Sequence, residues 1–297
     1  MRFGITPLEA DNLKNIFNEG EGFNSFTNFR YSDVILDVIE KGYQHCEITL
    51  DLFQVLPIGF DDNEKKKILN LRNQYDITFS AHFPIWSVEL SSPNKFIREA
   101  SIQSCIDSYN TIRFLESQIE VFVLHPTGGF TADFINFDIG PEYQKVILDL
   151  FTNYATQSVK KLIRETKIDR KKIAIENIQF PFDRTLDMIN KLKTSFCLDT
   201  AHFLGGFSGE VDIVDTAKKY LDITSEIHLQ DYSDNFSPPD HVALGRGRNF
   251  PVEFLKIIND YDFKGPVVFE LGLEQAYESI QFIKANVPEI KVPNIRK

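Results

Sequence analysis

A closed parallel (β/α)₈ barrel, the TIM-barrel architecture of the α/β class, is the fold this sequence predicts, as one domain over residues 1–297. Three observations predict it. Short apolar runs alternate with longer amphipathic segments from one end of the chain to the other. Eight such pairs fit within 297 residues, the size of a closed barrel. No GxGxxG follows the first apolar run, so the fingerprint of an open dinucleotide-binding sheet is missing.

In chain order the strands are expected at 2–6, 45–50, 77–82, 120–125, 172–177, 195–199, 225–230 and 266–271, each a short apolar run of the kind buried inside a parallel sheet. The helices between and after them are expected around 31–41, 61–74, 94–116, 141–167, 183–193, 209–221, 251–261 and 273–286. Pro251 stands near the start of the seventh helix, and Gly265-Pro266 separates it from the last strand. TGGFTADFINFDIGP and YSDNFSPPDHVALGRGRNF are expected to be loops over the active face, because Gly, Pro and aromatic residues crowd them.

Composition narrows the function. With 42% hydrophobic and 25% charged residues the chain is an ordinary globular one. Its formal charge of −11 opposes general attraction to nucleic-acid phosphates or anionic membrane. Cys46, Cys105 and Cys197 form no CxxC pair and fit a reducing compartment. The amino terminus has no basic-then-apolar signal pattern, and no run approaches the roughly 18 apolar residues a membrane span needs, so a cytoplasmic location is expected.

The strand ends carry the chemistry. FSAHFP delivers His82, VFVLHP His125, IAIEN Glu176, FCLDTAH Asp199 and His202, EIHLQD His228, and VVFEL Glu270. Ionisable groups at buried strand ends are costly to desolvate unless they meet one another or a metal. In a closed barrel all the strand carboxyl ends share one face, so these residues become neighbours. Glu176, Asp199, His228 and Glu270 suit one divalent ion: Mn²⁺, Zn²⁺, Mg²⁺ or Co²⁺. His82 and His125 add ligands for a second ion with Glu176 as the bridge, and His202 and His241 reach a third ion or the substrate. Trp86 is a further candidate for substrate contact, and Arg246 and Arg248, in GRGRN, could grip a substrate phosphate.

GYQHCEITLD, AHFP, LHP, IEN, LDTAH, IHLQD, HVALGRG and FEL, in this order and spacing, resemble the signatures of the xylose isomerase-like TIM-barrel superfamily over nearly the whole chain. That superfamily includes sugar isomerases and epimerases and also endonuclease IV-like zinc phosphodiesterases. The resemblance to the epimerases implies one ion on Glu176, Asp199, His228 and Glu270, with the two glutamates as acid/base pair, His202 on substrate and Glu47 matching a substrate-side glutamate. The resemblance to endonuclease IV implies three zinc ions, held also by His82, His125, His202 and His241 and by an aspartate two residues before the last histidine. Pro239 occupies that aspartate position. Asp240, adjacent to His241, is expected to point elsewhere, and Ile85 and Val88 stand where the nucleases carry DNA-contacting residues.

The leading expectation is therefore a divalent-metal-dependent isomerase or epimerase of a sugar, sugar acid or sugar phosphate, acting by proton transfer through an enediolate. One bound ion is expected before two or three. The alternative is an endonuclease IV-like multinuclear zinc phosphodiesterase, with nucleic acid disfavoured as a partner. A non-catalytic metal- or sugar-binding relative comes third.

Overall fold

The computed structural model describes residues 1–7, 29–56, 59–137, 139–247 and 250–296. Eight parallel strands close a barrel in chain order: β1 (Arg2–Ile5), β2 (His45–Thr49), β3 (Thr78–His82), β4 (Ile119–Leu124), β5 (Ile173–Glu176), β6 (Ser195–Asp199), β7 (Thr224–His228) and β8 (Pro266–Phe269). β8 returns to β1 with Arg2 beside Pro266 and Ile5 beside Phe269. All eight expected strands are present.

The major helices follow them: α1 (Tyr31–Glu40), α3 (Asp62–Gln74), α4 (Lys95–Ile112), α6 (Pro141–Thr166), α7 (Phe182–Leu192), α9 (Ile213–Tyr220), α10 (Val252–Asp260) and α11 (Leu273–Asn286). Shorter helices α2 (Leu52–Val55), α5 (Gly129–Ile135) and α8 (Thr200–Leu204) lie in the loops after β2, β4 and β6. Expected at 209–221, α9 begins at Ile213 because the Asp212 carboxylate accepts the Asp215 N–H at 2.8 Å and caps it there. Among the described residues no helix is long and apolar enough to cross a membrane, and all three cysteines are free and buried.

Two layers of packing result from the strand period of two. Cys46, Ile48, Phe79, Ala81, Phe122 and Leu124 face outward into the large core shared with the helices. Inward residues divide the lumen into two halves. Val121, Val123, Ala174 and Cys197 form a small apolar cluster of their own, and His45, Glu47, Thr78, Ser80 and Glu226 form a buried polar layer. Gly4 makes room for that layer: a Cβ there would lie 2.7 Å from the His45 Cβ.

Three buried carboxylates hold the mouth loops by their backbone N–H groups. Asp51 accepts from Ile85 and Trp86, at 3.0 and 2.9 Å. Glu89 accepts from Gly128 at 2.9 Å and Thr131 at 3.3 Å. These last bonds satisfy open donors at the start of α5, so TGGFTADFINFDIGP is not a plain loop but contains a helix. Asp231 accepts from Tyr232 at 2.8 Å and from Gly245 and Gly247 at 3.0 Å each. The chain approaches so closely there that a Cβ on Gly247 would collide with the Tyr232 carbonyl oxygen. Asp231→Ala should orphan these donors and cost about 3 kcal/mol, measured by chemical denaturation; a loss below about 0.5 kcal/mol, the usual range for a surface change, would contradict this role.

Candidate metal centre at the barrel mouth

His82, Glu176, Asp199 and His228 are the last residues of β3, β5, β6 and β7, and His125 and Glu270 directly follow β4 and β8. Register sets their height, with Asp199 paired to His228 and Thr49 to His82. In LDTAH, Asp199 accepts the His202 N–H at 2.7 Å and so caps α8, which carries His202 round to the same point.

Glu176 stands at the middle. Its Oε2 lies 3.3 Å from His82 Nε2, 3.1 Å from His125 Nε2 and 3.5 Å from His228 Nδ1, and its Oε1 lies 3.2 Å from His202 Nδ1. Three ligand groups share it. Glu176, Asp199, His228 and Glu270 offer donor atoms within 4.8 Å of one another, and so do His82, His125 and Glu176. Two further groups close through residues that sequence reasoning missed, Glu176–Cys197–His228 and Glu47–Glu226–His228. The alternation of side chains along β6 and β7 is the signal that would have found them, since it puts Cys197 on the face of Asp199 and Glu226 on that of His228.

The donors fit a divalent ion. Both ring nitrogens of fully buried His228 lack a hydrogen-bond partner, yet Nδ1 lies 3.3 Å from Glu270 Oε2 and 3.9 Å from Asp199 Oδ2. Buried polar atoms left open toward three carboxylates are what an ion would satisfy. The Nδ1–H of His82 donates to the Phe83 carbonyl at 2.8 Å and that of His202 to the Asn177 carbonyl at 2.8 Å, which leaves each Nε2 free for a ligand. Neutral amides complete the frame. Asn177 pairs with the Asp199 backbone, and Gln230 donates to Asp199 at 2.8 Å and Glu270 at 3.1 Å.

Charge in this cluster is interdependent. Burial alone would lower the His82 pKa, but the bond to Glu176 and the charges of Glu47, Glu176 and Glu270 hold it up at about 10. His202 and His228 are likewise held high against their burial, and burial with the Glu176 and Glu270 charges pushes Asp199 up to about 7. Ion-free, the three imidazoles are biased toward their protonated forms, and Asp199 is part-protonated near pH 7. Ligands must be deprotonated, so loading should release about one proton per ion or more near pH 7, and affinity should fall as the pH drops. Calorimetry in buffers of differing ionisation enthalpy checks this; release of none would contradict it.

The other expected site residues fall into distinct places. Glu47 was expected on the substrate, but it is wholly buried below the ligand groups, because the inward face of β2 descends into the lumen there. It accepts from Thr6 at 2.9 Å, and its Oε2 lies 3.5 Å from His228 Nε2, within ion-pair reach but outside a hydrogen bond, so that a small turn of either group would let Glu47 orient the imidazole. Glu47→Gln should weaken ion binding by roughly ten- to a hundredfold, read by competition with a chelator; unchanged affinity would refute this. Asp240 was expected to point away, but its Oδ2 lies 3.6 Å from His202 Nε2. Pro239 and Asp240 lie in a turn, where strand alternation of neighbours does not apply. His241 is half-buried beside it, and among the described residues His202, Asp240 and His241 close no third ligand group. Trp86 is exposed on the loop after β3, Arg246 is paired with Glu278 at 2.6 Å, and Arg248 lies outside the described residues.

Six of the eight rim segments are free of cations, while the segment after β1 contains Lys14 and Arg30 and the segment after β7 contains Arg246 and Arg248. The segments from β2, β3, β4, β5, β6 and β8 to the next major helix contain no lysine or arginine at all, while Asp51, Glu89, Asp133, Glu210 and Asp212 lie in them.

Solved structures of similar fold span both chemistries. A D-tagatose 3-epimerase-like protein superposes with TM-score 0.68 at 17% identity, over 97% of this chain and 98% of that one. Endonuclease IV from Thermus thermophilus gives 0.67 at 16%, over 98% and 100%. D-psicose 3-epimerase from Clostridium cellulolyticum gives 0.62 at 16%, over 91% and 84%. At these identities the likeness establishes the fold. No curated protein matches the chain in sequence. Residues 36–286 match the xylose isomerase-like TIM barrel family, and the chain belongs to that family.

Proposed function

We propose that this protein is a divalent-metal-dependent isomerase or epimerase whose preferred substrate is an uncharged sugar. The observation that carries the reading is the combination of a complete four-ligand group with a rim whose segments after β2 to β6 and β8 bear no lysine or arginine. A rim of that kind repels polyanions and admits a neutral polyol. A divalent ion, when bound, supplies Lewis-acid polarisation of a carbonyl and its neighbouring hydroxyl.

The remaining work belongs to side chains. Glu270 is the more open glutamate, with 13% of its side chain exposed against 1% for Glu176, so it is assigned the proton next to the carbonyl on one face. Glu176 serves the other face through the imidazoles that cover it, His125 and His202, whose side chains are 19% and 10% exposed. His202, with Nδ1 fixed on the Asn177 carbonyl, offers its Nε2–H to the substrate oxygen in place of Asp240, whose Oδ2 lies 3.6 Å from the same nitrogen. Gln230 holds Asp199 and Glu270 in place.

A second reading, a two-metal phosphodiesterase, is favoured by the His82–His125–Glu176 group and by Asp240 at His202. Metal-loaded protein tested on neutral ketoses and aldoses, their phosphates and an abasic-site duplex separates the two. Turnover of a neutral sugar is expected. Incision of the duplex with no sugar converted would transfer the assignment to the phosphodiesterase.

A further inference from the structure

The barrel carries a second concave site at the face opposite the mouth. A cleft of about 890 Å³ opens between the end of α6, the 3₁₀ turn Arg170–Lys172 and the residue after α7. These segments lead into the amino-terminal ends of β5 and β6, so the whole barrel length separates the cleft from the ligand groups. Lys160 and Arg164 line it from α6, Lys167 directly after that helix, Arg170 and Lys171 from the turn, and Lys193 directly after α7. We propose that this cleft binds a compact oligophosphate-bearing ligand.

Composition does not explain it. With Lys161, seven of the chain's 32 basic residues meet at one cleft of a protein whose formal charge is −11. One carboxylate, Asp169, shares the wall, where it accepts the Lys171 N–H at 3.0 Å and offsets one of the cations. Lys161 is paired with Glu99 and Arg164 with Glu165, which leaves most of the positive charge uncompensated. Like charges gathered in a concavity repel one another unless an anion joins them.

Helix dipoles account for only part of the set. A cation in the last turn favours a helix carboxyl end, which covers Arg164, Lys167 and Lys193. Lys160 lies farther back in α6, and Arg170 and Lys171 belong to no α-helix. Lys167 and Lys193 also take left-handed backbone, at φ 62° and 60°, where glycine is the favoured residue. Lysine thus stands at two positions where local backbone energetics favour another residue.

The shape selects the ligand class. Flexible ammonium and guanidinium groups around a bounded cleft suit clustered phosphate oxygens. The wall has no aromatic residue, so a nucleobase finds no stacking surface. An extended nucleic acid would leave the cleft for the rest of an acidic surface.

Full-length protein titrated with inorganic tripolyphosphate should show saturable binding at one site, weakening with salt. The triple variant Lys160→Gln/Lys167→Gln/Lys193→Gln should bind at least about tenfold more weakly, whereas Lys218→Gln/Lys256→Gln, away from the cleft, should bind as the parent does. If the triple variant proves unstable, the exposed single substitution Lys160→Glu should still weaken binding measurably. Absence of saturable binding, or equal binding by the cleft variants, would overturn the proposal. Tighter binding to duplex or single-stranded nucleic acid than to tripolyphosphate would overturn it in favour of a nucleic-acid partner.

Discussion

Glu176→Gln is expected to lower kcat by about a thousandfold or more and to weaken ion binding, since its carboxylate serves both the four-ligand group and the His82–His125 group. No other residue belongs to both, and four imidazoles approach its two oxygens. The amide keeps the shape, so the fold should survive, but it puts an NH₂ where a carboxylate oxygen met imidazole nitrogen. Glu270→Gln is the informative comparison, because it touches only the four-ligand group and leaves His82, His125 and Glu176 intact. Elemental analysis should therefore find the ion content reduced in the Glu176 variant at least as far as in the Glu270 variant. Full activity and unchanged ion content in Glu176→Gln would contradict the shared-ligand account.

Chelation of the bound ion should lower the melting temperature by about 5 °C or more, taking an ion held at 100 times its Kd as about 2.7 kcal/mol and a chain of this size as a few degrees per kcal/mol. The cause is the packing of Glu176, Asp199 and Glu270 within one buried cluster. Without an ion, that charge faces the imidazoles of His82, His202 and His228, biased toward their protonated forms, and an Asp199 that burial and the neighbouring glutamates push toward its neutral form. Readdition of Mn²⁺ or Zn²⁺ should restore the melting point. A melting temperature unmoved by chelation would show that the cluster is stable on its own protons.

Particular residues show how far the chain could be read before folding. The eight apolar runs placed every strand, because a strand buried on both faces leaves a continuous apolar signal. Asp199 and His202 were legible together because an N-capping aspartate fixes what lies three residues on. Asp240 was not, because the direction of a side chain in a turn depends on loop geometry that no period encodes. Glu47 was found but assigned too high in the barrel, since only the register of β2 against β3 reveals its depth. Glu226 and Cys197 were hidden inside runs that read as apolar strands. The helix α5 arises from Glu89, forty residues earlier, a contact beyond any local pattern. The basic cleft gathers residues from α6, a 3₁₀ turn and the end of α7 that look like ordinary solvated charges along the sequence.

Deuterium incorporation offers the most direct test of the central claim, that Glu270 and the Glu176 side of the mouth exchange a proton at carbon on a neutral sugar. Metal-loaded protein incubated in D₂O with the sugars that bind it should place deuterium on the carbon next to the carbonyl, and Glu270→Gln should slow that exchange by at least about a hundredfold. Conversion of a sugar without deuterium uptake, or phosphodiester cleavage with no carbon-bound exchange in any sugar, would contradict it.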